Sequence, residues 1–402
     1  MALIIRNALL WDAAHPGQAP LPGMSIVCQN GVFTHIAPDA EVHATPDDDI
    51  IDARGRFVMP GMIDCHVHIT STGAADSSGD DKEHDAYMAL RGMTMIQQDL
   101  EAGFTTVRNM GTRNFIDLAI QKAQRQGFCG GARIITSGPS ITMTGGHGWM
   151  GGHEVDGCDE ARKAARLNLK KGVEIIKIMA TGGVMTPGVE PGSPQLTEAE
   201  MRAAVEEAHK AGRKTGSHAQ GTEGIKNAIR AGIDTIEHGI FLDDEAIQMM
   251  IERGTTLVPT LVAPFHINEG GLEAGIPAYA VEKSNRIAPS HVASFKKALA
   301  AGVKISMGTD AGTPLNRHGD NALELHFFVE YGMTNEQALL SATSKAAETI
   351  DRAAQLGTIE VGKLADVLII DGNPLEDIEV LVRKTPIEII VQNGRVMHCR
   401  KP

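Results

Sequence analysis

The chain has 402 residues, a hydrophobic fraction of 42% and a formal net charge of -13, with no basic run. That length holds one large α/β domain and a smaller module, and an acidic balance without basic clusters excludes a general attraction to nucleic acid or to an anionic membrane surface. The five cysteines, Cys28, Cys65, Cys129, Cys158 and Cys399, lack CxxC spacing, which fits a reducing compartment and argues against a disulfide framework or a cysteine zinc site.

The opening run MALIIRNALLWDAA reaches acidic and turn residues at once, unlike a signal peptide, and no apolar stretch is long enough to span a bilayer. A cytoplasmic location is expected. Residues 1–56 alternate short β-rich runs with Gly, Pro, Asn and Asp turns, and the same texture returns in ADVLIIDG and IEIIVQNGRVMHC near the other end. The two pieces, 1–56 and 356–402, are expected to form one small β-sandwich domain.

Between them, strand-like and helical runs alternate in the βα rhythm of a parallel sheet. The candidate strands are FVMPGMIDCHVHI, FTTVRNMG, RIITSGP, VEIIKIMATGG, KTGSHA, IDTIEHG, TTLVPTLV and VKISMGTD. Predicted helices are EHDAYMALRGMTMIQQDLEAG, DEARKAARLNLKKG, LTEAEMRAAVEEAHKAG, TEGIKNAIRAG and DDEAIQMMIERG, most closed by a glycine. Residues 264–290, long and rich in Gly and Pro, read as a loop and a candidate lid. Eight such units predict an α/β fold with a (β/α)8 TIM barrel over 57–355, whose chemistry sits at the strands' C-terminal ends; no GxGxxG follows the first strand, as a doubly wound sheet for dinucleotides would require.

Polar residues gather where those strands stop. His66 and His68 lie two apart and project to one face of an extended strand, where two imidazoles can share a cation. His218 in GSHAQG, His238 in IEHG and Asp310 in GTDAG end three further strands. Each alone reads as structural, but five such groups at one predicted mouth read as a site.

Lys177 holds the equivalent place in VEIIKIMATGG. Burying its ammonium is costly unless the charge is neutralised or paired. The alternatives are a pairing with a buried acid, a place on a helix, or a depressed pKa that leaves a neutral amine able to add CO2. The resulting carbamate carries a negative charge and two oxygens, and can bridge two cations.

Together VMPGMIDCHVHI, IKIMATGG, SHAQG, TIEHG, GTDAG and GKLADVLIIDGNPLEDI resemble the binuclear members of the amidohydrolase superfamily over nearly the whole chain. The resemblance implies two divalent metal ions, zinc as first choice: one on His66, His68, carbamylated Lys177 and Asp310, the other on Lys177, His218 and His238. It implies hydrolysis by an activated bridging water, with Asp310 taking the proton and returning it to the leaving nitrogen. His147 in TGGH matches a histidine that polarises the scissile carbonyl in members resembling Xaa-Pro and Xaa-Arg dipeptidases.

Where the Xaa-Pro dipeptidases carry a tyrosine after strand seven, this chain has Ala263, Pro264 and Phe265, and Tyr279 further on is a candidate substitute. Arg108, Arg317 and His318 are candidate anchors for a substrate carboxylate. The expected substrate is a small molecule, a dipeptide or N-acyl amino acid. The alternatives are a carbamate, phenylurea or ochratoxin-like amide-linked toxin, and a catalytically silent scaffold. Barrels of this group often associate, so a homo-oligomer is compatible. The eighteen methionines read as adaptable core filler.

Overall fold

The computed structural model describes residues 2–77, 79–383 and 386–399; Met1, Ser78, 384–385 and 400–402, some of them within the expected terminal domain, lie outside the described residues. Strands from both ends share one eight-stranded sheet, in the order Arg395–Cys399, Ile387–Gln392, Val367–Ile370, Phe57–Pro60, Leu3–Leu10, Leu21–Gln29 and Val32–Pro38, with Asp49–Asp52 parallel to Leu3–Leu10. Its apolar residues, among them Ile5, Ile26, Phe33, Val58, Val367 and Val391, form a core of their own.

The run expected as the first parallel strand is divided. Phe57–Pro60 pairs with Leu3–Leu10 and Val367–Ile370 in the terminal sheet, whereas Met62–Val67 starts the parallel set. Gly61 lies between, and a Cβ there would collide with Oγ1, Cγ2 and Cβ of Thr105. The chain changes sheets where only glycine fits against the next strand.

The parallel strands are β1 (Met62–Val67), β2 (Phe104–Asn109), β3 (Arg133–Ile135), β4 (Ile175–Met179), β5 (Lys214–Ala219), β6 (Thr235–His238) and β7 (Thr256–Val258). Ladders join β1 to β2 and β2 to β3, and a second sheet runs from β4 through β5 and β6 to β7, with the short Ile141–Thr142 also beside β4. Thr136 just after β3 accepts hydrogen bonds from the backbone of Glu174 and Ile175 at 2.8 and 3.1 Å, which bridges the two sheets.

The eighth expected strand does not form a ladder. Residues 303–311 instead make single parallel bridges, Ile305 to Leu257 of β7 and Ala311 to Val67 of β1. Left-handed Asp310, φ 62°, turns this segment out of extended geometry. Backbone bonds from Cys65 to Met307 (3.0 Å) and from Asp310 to His66 (2.7 Å) still fasten it to β1.

All five expected helices form, at Asp85–Glu101, Cys158–Lys171, Glu198–Lys210, Thr222–Ala231 and Asp244–Arg253. Thr197 and Glu200 make a reciprocal capping box at the third of these. Residues 264–290 are not a loop: helices Val262–Gly270 and Ala278–Ala301 cover most of them, with Pro289 inside the second. Tyr279, Lys283 and Arg286, one face of that long helix, bond to Met185 O, to Thr186 O and Val189 O, and to Glu190. The expected lid is therefore fastened to the chain after β4. Among the described residues no helix is long and apolar enough to cross a membrane.

Gly61→Ala forces Thr105 and its backbone apart, an overpacking expected to cost about 1–3 kcal/mol. Urea unfolding measures it, and an unchanged midpoint would show that the close approach is not maintained in solution.

Candidate metal centre

Register sets the site. Lys177 of β4 lies beside Gly216 of β5, His218 of β5 beside Glu237 of β6, and Ala219 beside His238, so three ligand-type side chains come from neighbouring strand ends. Across from them β1 supplies His66, with His68 just beyond it, and the eighth segment supplies Asp310. A cavity of about 180 Å³ is lined by His66, His68, Lys177, His218, His238 and Asp310, with His147 at its edge. Ring centroids of His66 lie 5.4 Å from His68 and 5.2 Å from His238, and His218 lies 4.6 Å from His238. Asp310 Oδ1 is 3.0 Å from His68 Nε2 and 3.3 Å from His66 Nε2.

Three of these imidazoles have one nitrogen committed to the protein, which leaves the other for the cavity. His66 Nδ1–H donates to Glu237 Oε2 at 2.8 Å, His238 Nδ1 pairs with Thr260 Oγ1 at 2.7 Å, and His218 Nε2–H donates to Gly182 O at 3.1 Å. Glu237 is itself gripped by Arg108, 2.9 and 3.1 Å from Nη2. His238 and Thr260 have left-handed backbones, φ 73° and 56°, so Glu237 and His238, adjacent in sequence, both reach His66's surroundings despite the strand's alternation.

Lys177 is 1% exposed. Burial lowers its pKa to about 8, with Glu237 and Asp310 opposing the shift and Arg108 adding to it. Burial also drives His218 and His238 well below the usual imidazole range, keeping them neutral as ligands must be. Burial alone would raise Asp310, but hydrogen bonds and charge from His66 and His68 hold its carboxyl well below the usual range.

The turn Thr181-Gly182-Gly183 after β4 has three separate tasks. Thr181 Oγ1 accepts from the backbone of Gln220 at 3.0 Å, Gly182 O holds His218, and Gly183 leaves space for the imidazole of His147, whose atoms a Cβ would approach to 2.5 Å. His147 Nδ1 pairs with Thr186 Oγ1 at 2.8 Å, and its ring centroid is 4.2 Å from that of His218. Burial and then the Lys177 ammonium lower His147 to about 3, so it is neutral.

The expected carboxylate anchors lie elsewhere. Arg108 is fully buried beneath the site, donating to Glu237, Thr235 and Cys65 O, and is a structural ion pair. His318 is also buried: Nδ1 pairs with Asp99 at 2.9 Å and Nε2 with His68 O at 3.2 Å. Burial works against its charge, yet Asp99 raises its pKa. Arg317 is exposed and lines neither this cavity nor the one beside it. Tyr279 lines the adjoining chamber, with its hydroxyl donating to Met185 O at 3.1 Å.

Glu237, Thr186 and Thr260 are the site residues that the sequence reading missed. Only Glu237 left a signal, as an acid beside His238 in the short buried strand TIEH. Asp64 belongs with them: its carboxylate accepts from Thr309 Oγ1, Asn321 Nδ2 and the backbone of His66, tying β1 to the eighth segment.

These donors fit a divalent metal. Ligand atoms of His66, His238 and Asp310 lie within 4.8 Å of one another, a set of nitrogen and carboxylate oxygen suited to zinc and its neighbours. That trio crosses the split implied by the family resemblance, which assigned His238 to a different ion from His66 and Asp310.

A parallel α/β scaffold with histidine and aspartate side chains able to hold a metal at its strand ends points to the hydrolase class. Residues 57–397 match the amidohydrolase family, and the chain belongs to it. Ochratoxinase of Aspergillus niger is 31% identical over 420 residues, covering 95% of this chain and 84% of the relative. A crystal structure of a prolidase complexed with N-methylphosphonate-L-proline has a TM-score of 0.92 and 32% identity over 100% of both chains. For a Xaa-Pro dipeptidase with bound methionine the TM-score is 0.90 and the identity 33%, over 99% of this chain and 100% of that one. These hydrolase relatives support an enzyme acting on amide bonds.

Gly183→Ala is expected to displace the His147 ring while leaving the fold intact. A crystal structure of the variant checks it, and an unmoved imidazole would refute the steric argument.

Proposed function

We propose that the chain is a binuclear metal-dependent amidohydrolase cleaving the C–N bond of dipeptides or N-acyl amino acids. The reading places the chemistry at the mouth of a (β/α)8 barrel, expected over 57–355 but with its first parallel strand at Met62–Val67, and Phe57–Pro60 joins 1–56 and 356–402 in the expected β-sandwich beside it. One observation carries it: a buried lysine, four histidines and an aspartate, drawn from five separate strand ends and segments, line one small cavity. Relatives named as prolidase and Xaa-Pro dipeptidase support the substrate class. The ochratoxinase relative favours a second substrate within the same chemistry, an amide-linked toxin.

His66, His68 and Asp310 would hold one ion and His218 and His238 the other, with carbamylated Lys177 shared between them; zinc is the first choice. When bound, such ions supply Lewis acidity and lower the pKa of water toward neutrality. Asp310, kept ionised by His66 and His68, is placed to accept the proton of that water and to return it to the leaving nitrogen. Neutral His147 faces the same cavity and would donate to the developing oxyanion through Nε2, with Nδ1 held by Thr186. Glu237 orients His66 throughout. Cys28, Cys65, Cys129 and Cys158 are free thiols, as a reducing cytoplasm would keep them.

Elemental analysis of purified protein is expected to find two divalent ions per chain, with hydrolysis of Xaa-Pro dipeptides lost on chelation and recovered on adding metal. Lys177→Ala is expected to lose bound metal and activity together. Full activity in that variant would end the bridging role, and metal-free protein that hydrolyses the same substrates would end the reading.

A further inference from the structure

We infer that this enzyme selects amides carrying a bulky apolar group on one side of the scissile bond and a compact group on the other, with the bulky group held in a methionine-lined chamber beside the metal centre. The inference rests on the amidohydrolase reading above. The chamber has a volume of about 440 Å³ and shares His68, Gly148, Met179 and Met185 with the metal cavity, so the two spaces adjoin at a proposed ligand. Met88, Met110, Met150, Met179 and Met185 all line it. They come from the helix Asp85–Glu101, the end of β2, the loop carrying His147, β4 itself and the turn after β4.

Thioether side chains are unbranched and polarisable, reshape around a guest and make favourable contacts with aromatic ring edges. Two of the charged side chains that line it are paired, Asp80 with Arg91 and Arg113 with Asp85, each at 2.9 Å, and Asp76 stands at the same wall. What the wall offers a ligand is therefore soft apolar surface, ample for a fused aromatic group. The part of the metal cavity outside the chamber has a different wall. Val184, Ile240, Ile267 and Ile287 are buried, branched and packed in one cluster, with little freedom to move apart. The free space there is about 180 Å³, and two metal ions would share it with the reacting atoms, so only a compact group fits.

The test compares kcat/KM of metal-replete enzyme for N-acetylglycine, N-naphthoylglycine, N-acetyl-naphthylalanine and N-naphthoyl-naphthylalanine. One of the two singly bulky amides is expected to exceed N-acetylglycine by about tenfold or more, a ratio within reach of apolar pocket discrimination, and the doubly bulky amide is expected not to. Met88→Trp, which fills the chamber from the helix, is expected to bring that ratio close to unity. Met150→Trp on the exposed loop gives the same reading where Met88→Trp fails to fold. Equal rates for all compounds, a preference for the doubly bulky amide, or an unchanged ratio in a folded tryptophan variant would overturn the inference. Hydrolysis of none of the four would instead strike the amidohydrolase reading. The chamber is then decided by binding of N-naphthoylglycine followed by its fluorescence, which is expected to weaken in the tryptophan variants; equal binding would overturn it.

Discussion

An ammonium group buried among imidazoles must be answered by nearby negative charge, and the centre of this protein is built around that constraint. Lys177 and Arg108 are its cations; Glu237 and Asp310 are the carboxylates facing them. In the metal-free chain these four charges cancel. On the proposed chemistry, turning Lys177 into a carbamate without metal would leave three anions against one guanidinium. Loading two divalent ions beside a protonated Lys177 would leave a large positive excess. Each change is unfavourable alone and each offsets the other, so modification and metal loading are coupled by electrostatics before any bond between them is considered.

The same centre holds backbone strain. His238, Thr260 and Asp310 are left-handed, with φ of 73°, 56° and 62°, at a price of order 1–3 kcal/mol apiece for residues other than glycine. Each is fixed by bonds from another element. His291 Nε2 lies 3.1 Å from His238 O and 2.8 Å from Pro259 O, Glu324 accepts from the amides of Leu261 and Val262 at 2.8 Å, and His66 O accepts from Asp310. The strain ends the strands' alternation where the site begins, which lets consecutive residues serve one cavity.

What the sequence made legible follows from these facts. A charged side chain in a run of buried branched residues is conspicuous, which makes Lys177 legible in IIKIM, while His66, His218 and His238 are legible by their places at strand ends. Arg108 was conspicuous for the same reason and was misread, because its partner Glu237 lies 129 positions away and no local pattern pairs them. The eighth segment reads as a strand from its apolar run, but it makes only single bridges, and no local pattern announces the left-handed turn at Asp310. Residues 264–290 were read as a loop because Gly and Pro punctuate them. Pro277 stands at the N-cap of the long helix, where its fixed φ is compatible with helix entry, and Pro289 is carried within a helix that tertiary packing stabilises. The methionine chamber was illegible for another reason: its five sulfur-bearing side chains come from segments nearly a hundred residues apart, and composition cannot show where they meet.

Chemistry and selectivity therefore occupy different walls. The groups that would hold metal and move protons are locked by cross-strand hydrogen bonds and the charge balance of Lys177, and any change among them disturbs all. The methionines of the chamber beyond His68 have several accessible rotamers and carry no charge, so a substitution among them alters shape without disturbing the ligands' protonation. Relatives at about a third identity that carry the names prolidase and ochratoxinase can share the first wall while differing in the second. A family whose members differ in substrate more than in reaction is the expected consequence of that division.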